Sequence, residues 1–264
     1  MTLEHPAVAF DRVTVDFDGL RVLDAVTLEL PHGGFTAIVG PTGCGKSSLL
    51  NLVAGLLAPS SGSVRCAGRP VAGVNRSAAY MFQHDALFPW KDVLENVLLG
   101  PLLRGASRTA AAAEAAAWLE RVGLRGFERR YPHQLSGGER KRVAMAQALV
   151  NRLPLLLMDE PFSALDAQTR VLMETELLDL WSEVGSTVLF VTHDLEEAVA
   201  LADRVLLVTS GPSARIKGTY PIGLARPRNV MEARLAPGFT EVYTRIWSDL
   251  KEEVLAAHAR QKNR

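Results

Sequence analysis

Short apolar, β-branched runs crowd the opening third of the chain: AVAFDRVTVDF (7–17), VTLEL (26–30) and FTAIVG (35–40), separated by Asp-Gly and Pro-His-Gly-Gly turns. Runs of this length bounded by such turns predict strands. The apolar spacing then changes to that of a helix from Lys46 through Leu57, and SVRCAG (63–68) and AAYMFQ (78–83) return to short strands. From 85 to 150 no segment has a strand pattern. KDVLENVLLGPLL, ASRTAAAAEAAAWLERVGL and ERKRVAMAQALV all favour helix, and Trp118, Leu119 and Val122 give the alanine-rich segment an apolar face. LLLMD (155–159), TVLFVT (187–192) and RVLLVT (204–209) alternate with helical stretches, which predicts a mainly parallel sheet. Near the end Phe239, Val242, Tyr243, Ile246, Trp247 and Leu250 form one stripe of a helix expected to pack on the parent domain.

The expectation is an α/β fold: one domain over 1–264, with a core from 1–84 and 151–225, a helical insertion at 85–150 and a helical tail at 226–264. With 264 residues and 48% apolar content the chain can bury a full core. Lysine plus arginine balance aspartate plus glutamate at 29 each, so no net field draws in nucleic acid or an anionic membrane surface. The two cysteines, Cys44 and Cys66, have no metal-ligand spacing and suit a reducing compartment. No apolar run approaches the roughly 18 residues of a membrane span, so a membrane role would come through a partner.

Candidate chemistry falls at the ends of the predicted strands. GPTGCGKSS (Gly40, Pro41, Thr42, Gly43, Cys44, Gly45, Lys46, Ser47, Ser48) matches the phosphate-loop pattern between a strand and a helix. Its backbone N–H groups would wrap a β-phosphate at a positive helix end, Lys46 would neutralise β- and γ-oxygens, and Ser47 would offer a hydroxyl to Mg²⁺. Cys44 needs no chemical role there and is read as space-filling. Asp159 and Glu160 close an apolar strand, where Asp159 can hold Mg²⁺ through water and Glu160 can act as base for an attacking water. His193 and Gln83 each follow a strand too, His193 able to reach the γ-phosphate and Gln83 the metal and the water. A second small-residue turn, Ser136-Gly137-Gly138 in QLSGGERKR, opens onto another helix, and one nucleotide does not need two such cradles.

These motifs in this order resemble the ATP-binding cassette ATPases, over Phe17 to about Pro221, and LSGGERKR separates that family from other phosphate-loop proteins. The resemblance implies a P-loop NTPase (RecA-like) parallel-sheet core with an N-terminal antiparallel β subdomain and an inserted helical subdomain. It also implies ATP and Mg²⁺, catalytic or sensing roles for Glu160, His193 and Gln83, and Asp159, Ser47 and Gln83 at the metal. Phe17 occupies the position of the aromatic that stacks adenine, with a core or turn phenylalanine as the alternative reading. SALD places Asp166 at the boundary between two cassettes. Because such cassettes dimerise head to tail, Ser136, Gly137 and Gly138 of one copy would face the nucleotide held by the other.

The stretches FQHDALFPWKDVLENVLLG (82–100), LDAQTRVLMETELLDLW and THDLEEAVALADRVLLVTSGP are similar to the nitrate, sulfonate and taurine importer group. The implied setting is the cytoplasmic face of the inner membrane, with a second cassette, integral-membrane permease subunits and, indirectly, a solute-binding protein as partners. Residues 85–90 would help receive a permease helix, with Trp90 either in that groove or in the core. Gln147 in AQAL, where arginine is usual, removes a positive charge behind the signature helix. Two rivals remain: a non-transport cassette ATPase acting on nucleic acid or ribosomes, whose coiled-coil, zinc or basic features are not seen, and a P-loop kinase or GTPase, for which no Asn-Lys-x-Asp signature is present.

Overall fold

In the computed structural model, which describes residues 5–84 and 86–262, β1 (Val8–Phe17) and β2 (Leu20–Leu30) form an antiparallel hairpin. Its turn, Asp18-Gly19, has both residues at positive φ, the geometry that a two-residue hairpin loop needs. The hairpin makes β2 longer than the apolar run alone predicts, because ladder pairing carries the more polar segment from Leu20. β3 (Phe35–Val39) is buried throughout and leads to α1 (Lys46–Ala54). That helix stops three residues short of the expected Leu57. Gly55 turns left-handed at φ 70°, where a Cβ would lie 1.8 Å from the Gly73 carbonyl oxygen. A glycine in this conformation is a common helix terminator.

β4 (Ser61–Cys66) and β5 (Arg69–Pro70) complete a four-stranded sheet in the order β2-β1-β4-β5. β6 (Ala78–Met81) begins a separate edge, and three helices follow: α2 (Val93–Leu103), α3 (Arg108–Arg121) and α4 (Gly137–Leu149). Trp118 and Leu119 of α3 are buried, as the pattern requires. Gln147 of α4 donates to the Asn96 carbonyl on α2 at 3.3 Å. β7 (Leu155–Asp159), α5 (Ala167–Val184), β8 (Thr187–Val191), α6 (Leu195–Leu201) and β9 (Arg204–Val208) then wind the main sheet.

β10 (Ile216–Pro221) joins β9 antiparallel, giving the order β10-β9-β3-β8-β7-β6 with all other pairs parallel. Every parallel strand therefore points the same way, and their C-terminal ends share one edge. In open α/β sheets ligands bind along that edge. α7 (Val230–Leu235) starts at an Asn229 cap, and α8 (Phe239–Lys262) is the last described element. Phe239, Ile246 and Leu250 of α8 are buried, each contributing about 1.5–3 kcal/mol by burial. Trp247, expected on the same stripe, is 44% exposed and faces away from the core.

Candidate nucleotide site

β3 delivers Gly40 to the shared edge, and six residues later α1 begins. Close packing dictates the glycines. A Cβ at Gly40 would sit 2.7 Å from the Val208 carbonyl oxygen, and one at Gly45, whose φ is 95°, would sit 2.9 Å from both Leu23 Cδ2 and Val22 Cγ1. The buried Lys46 ammonium donates to the carbonyls of Gly40 (2.9 Å) and Pro41 (3.0 Å). Ser47 Oγ donates to Asp159 Oδ1 at 3.1 Å, joining the helix start to the end of β7. Burial pushes the Asp159 carboxyl above its ordinary range, and the Ser47 hydroxyl only partly opposes it.

Glu160 follows with φ 43°, a left-handed conformation costing a non-glycine residue roughly 1–3 kcal/mol. Its N–H donates to the Val191 carbonyl (2.9 Å), and its own carbonyl accepts from Ser163 Oγ (3.0 Å). These bonds hold the turn that aims the carboxylate away from the strand. At its far end, Oε2 accepts from Gln83 Nε2 at 3.1 Å and lies 3.1 Å from His193 Nδ1. An ionised carboxylate only accepts, so Nδ1 carries the proton in this contact. Residues following three adjacent strands, β6, β7 and β8, thus meet on one oxygen.

A cavity of about 630 Å³ opens here. Thr42, Gly43, Gly45, Lys46, Ser47 and Ser48 form one part of its lining, and Gln83, Glu160 and His193 another. Phe17 and Val22 of the β1–β2 hairpin complete it, and Phe17 is 44% exposed, which removes the core reading for that ring. Asp159 reaches the cavity through Ser47. Gly40, Pro41 and Cys44 stand behind the loop: the Cys44 side chain is buried and its N–H donates to the Pro41 carbonyl at 3.3 Å.

Ser136, Gly137, Gly138 and Asp166 do not line this cavity. Ser136 caps α4 in a reciprocal box, its hydroxyl accepting from the Glu139 N–H (3.2 Å) while Glu139 Oε2 accepts from the Ser136 N–H (2.7 Å). A Cβ at Gly138 would come within 3.3 Å of Thr169 Cγ2. Asp166 caps α5 through the N–H groups of Gln168 (3.1 Å) and Thr169 (3.0 Å), and these bonds hold its carboxyl below the usual range. Trp90 is 71% exposed, so it is not core, while Asp85 lies outside the described residues.

Sequence reasoning missed Val22, which lies at the ladder irregularity between the Asp16–Arg21 and Val15–Leu23 pairs and carries no motif of its own. It also missed two ties. Lys141 of α4, buried, donates to the Gln83 carbonyl at 2.7 Å. Arg170 of α5 spans Asp194 Oδ2 (3.2 Å) and the Leu165 carbonyl (3.1 Å), joining the residue after His193 to the segment before Asp166.

Below His193, Thr192 Oγ1 donates to Glu197 Oε2 on buried α6, and Oε1 has no partner among the described residues. Burial pushes the Glu197 carboxyl from 4.5 up to about 8. A raised carboxyl stabilises the fold fully below the unfolded value, and that contribution is lost as pH rises through about 8. Glu197→Gln is expected to flatten this decline, whose slope is at most about 1.4 kcal/mol per pH unit. Urea unfolding of both proteins at about pH 6 and about pH 9 measures it; equal slopes would rule the explanation out.

A parallel sheet whose strand ends present a glycine loop, a buried lysine and a carboxylate over one cavity defines a P-loop NTPase fold. Residues 23–163 match the ABC transporter family model. An uncharacterized ABC transporter ATP-binding protein of Methanocaldococcus jannaschii is 44% identical over 242 residues, covering 91% of this chain and 89% of its own length. The taurine import ATP-binding protein TauB of Escherichia coli K12 is 44% identical over 211 residues, covering 80% and 82%. A solved dimeric ATP-binding cassette in a post-hydrolysis state, bound to ADP and Pi, matches with a TM-score of 0.71 at 30% identity, over 83% of this chain and 100% of that one. The chain belongs to the ABC transporter family, and it is an ATPase of that family. No helix among the described residues is long and apolar enough to cross a membrane.

Proposed function

We propose that the protein is the ATP-hydrolysing subunit of an importer, working as a pair of identical copies on separate permease subunits at the cytoplasmic face of the inner membrane. The cargo class is a small sulfonate-type solute, taurine included. Nitrate and related small solutes belong to the same reading, because the permease and its solute-binding protein select the cargo. The observation that carries the proposal is the shared oxygen of Glu160, held by Gln83 and His193 beside the Lys46 loop.

In this mechanism the N–H groups of the loop and the α1 start grip the triphosphate tail, and the Lys46 ammonium exchanges its loop carbonyls for phosphate oxygens. Phe17 stacks on the base. Glu160 Oε2 takes a proton from the attacking water, while Gln83 and His193 keep that oxygen in place. The His193 Nδ1–H, directed at Glu160, holds the imidazole beside the place where the γ-phosphate would lie. The Ser47 hydroxyl and Asp159 carboxylate, 3.1 Å apart, with the Gln83 amide, are hard oxygen donors of the kind that Mg²⁺ selects. That ion would neutralise developing charge on the β- and γ-oxygens.

Ser136, Gly137 and Gly138 belong in this scheme to the partner's nucleotide: a capped helix start with two glycines is an anion cradle, and it does not serve the cavity of its own chain. Asp166 lies at the same contact. The helical segment 85–150, with Trp90 exposed, receives a cytoplasmic helix of the permease. A nucleic-acid or ribosome role would call for a basic surface, and the balanced charge of the chain offers none overall. Expression with the neighbouring permease is expected to yield a copurifying membrane complex whose ATPase rises on adding the solute-loaded binding protein. A protein that purifies alone, with ATPase stimulated by nucleic acid instead, would overturn the importer reading.

A further inference from the structure

β9 lies beside β3 in the sheet, so the chain leaving β9 runs next to the phosphate loop leaving β3. The approach is backbone to backbone. A Cβ at Gly40 would be 2.7 Å from the Val208 carbonyl oxygen, and one at Gly211 would be 3.6 Å from the Gly43 carbonyl oxygen and 3.8 Å from Cys44 Cα. Residues 208–211 therefore back the loop at 40–44. On their other side stands α8. Glu253 Oε2 accepts from the Ser210 N–H (2.8 Å) and hydroxyl (3.1 Å). Arg260 Nη1 donates to the Ser210 carbonyl and Oγ, each at 3.3 Å, and to the Gly211 carbonyl.

The helix that makes this grip is itself anchored. Ile246 and Leu250 are buried, the Tyr220 hydroxyl of β10 donates to Asp249, and Lys217 of β10 pairs with Glu252 (2.7 Å) and Glu253 (3.0 Å). Burial acts to raise the Glu253 carboxyl, but the Ser210 N–H, the Lys217 ammonium and the Ser210 hydroxyl outweigh it and hold it below its ordinary range. It therefore accepts as a full anion, the stronger form of such a bond.

We propose that α8 is a strut for the phosphate loop, with Glu253 and Arg260 as positioning residues that hold 208–211 against Gly40–Cys44 and so set the affinity for ATP. The proposal rests on reading Gly40 to Ser48 as the triphosphate cradle. A loop with glycines at 40, 43 and 45 has little side-chain packing of its own and takes its rigidity from what lies behind it. Its N–H groups bind phosphate only when aligned to a fraction of an ångström, so slack in the backing appears as lost affinity. Any contact that draws α8 away would weaken nucleotide binding from the rear.

The test uses the full-length protein, with ATP affinity from a fluorescent-nucleotide displacement titration alongside steady-state turnover. Glu253→Leu and Arg260→Met are each expected to raise the Kd for ATP about fivefold or more, with kcat at saturating ATP within about twofold of the parent. Because both side chains hold Ser210, the double variant should be little worse than the poorer single one. Glu253→Gln, which keeps an acceptor, should recover most of the affinity. Tyr220→Phe removes one tie between α8 and β10, while buried Ile246 and Leu250 and the Lys217 pairs with Glu252 and Glu253 still keep the helix in place against 208–211, so it should lower thermal stability while leaving Kd within about twofold.

An unchanged Kd in Glu253→Leu, or an equal rise in Tyr220→Phe, overturns the strut. Should Glu253→Leu not fold, Arg260→Met decides alone, and an unchanged Kd there is equally fatal. If the parent chain does not bind ATP, or Lys46→Ala binds it as well as the parent, the phosphate-loop reading itself fails.

Discussion

Glu160→Gln is expected to slow ATP turnover about 10²–10⁴-fold, a barrier increase of about 2.7–5.5 kcal/mol, while ATP binding stays nearly unchanged. The amide is isosteric with the carboxylate, so the left-handed turn at Glu160 and its backbone bonds to Val191 and Ser163 should survive. What is lost is the proton acceptor facing Gln83 and His193. The variant should accumulate as an ATP-bound pair, seen as doubled mass by light scattering with ATP. Parent-like turnover, measured with the permease present, would remove Glu160 from the role of base.

Ser136→Arg should leave ATP binding by the single chain within about twofold yet cut turnover by about 10²-fold or more, because it places a bulky side chain where a second nucleotide must enter. Loss of the Ser136 cap costs about 1 kcal/mol, and intact binding shows that this cost is tolerated. Mixing with Glu160→Gln separates the two ideas. If each cavity needs the partner's cradle, the heterodimer keeps one wholly parental site, Glu160 of the Ser136→Arg chain facing Ser136 of the Glu160→Gln chain, and the mixture should recover turnover that neither variant shows alone. Full turnover by Ser136→Arg alone would mean that each chain hydrolyses ATP by itself.

Much of the arrangement could be read in the chain because chemistry sits directly after apolar runs. FTAIVG, AAYMFQ, LLLMD and TVLFVT each end at the same sheet edge, so Gly40, Gln83, Asp159 and His193 had to come near one another once the strands were parallel. β10 and α7 escaped notice for opposite reasons. IKGTYP breaks its alternation with Gly218 and ends in Pro221, tolerable on an edge strand; α7 is only six residues long. Contacts made by long side chains across sequence gaps left no local trace: Arg170 to Asp194, Lys141 to Gln83, and Arg260 to Gly211. Nor does any pattern announce that Glu160 turns left-handed, since glutamate has no preference for that region.

The bond from Lys141 to the Gln83 carbonyl has a mechanical consequence. An ammonium buried in the second turn of α4 gives up a 2.7 Å bond only at a desolvation cost. If the helices pivot when a transporter domain pushes on them, Gln83, which bonds the carboxylate proposed as the base, is drawn along with them. Timing of chemistry and movement of the bundle are then geared together through one methylene chain, and a shorter one at position 141 would let the gears slip.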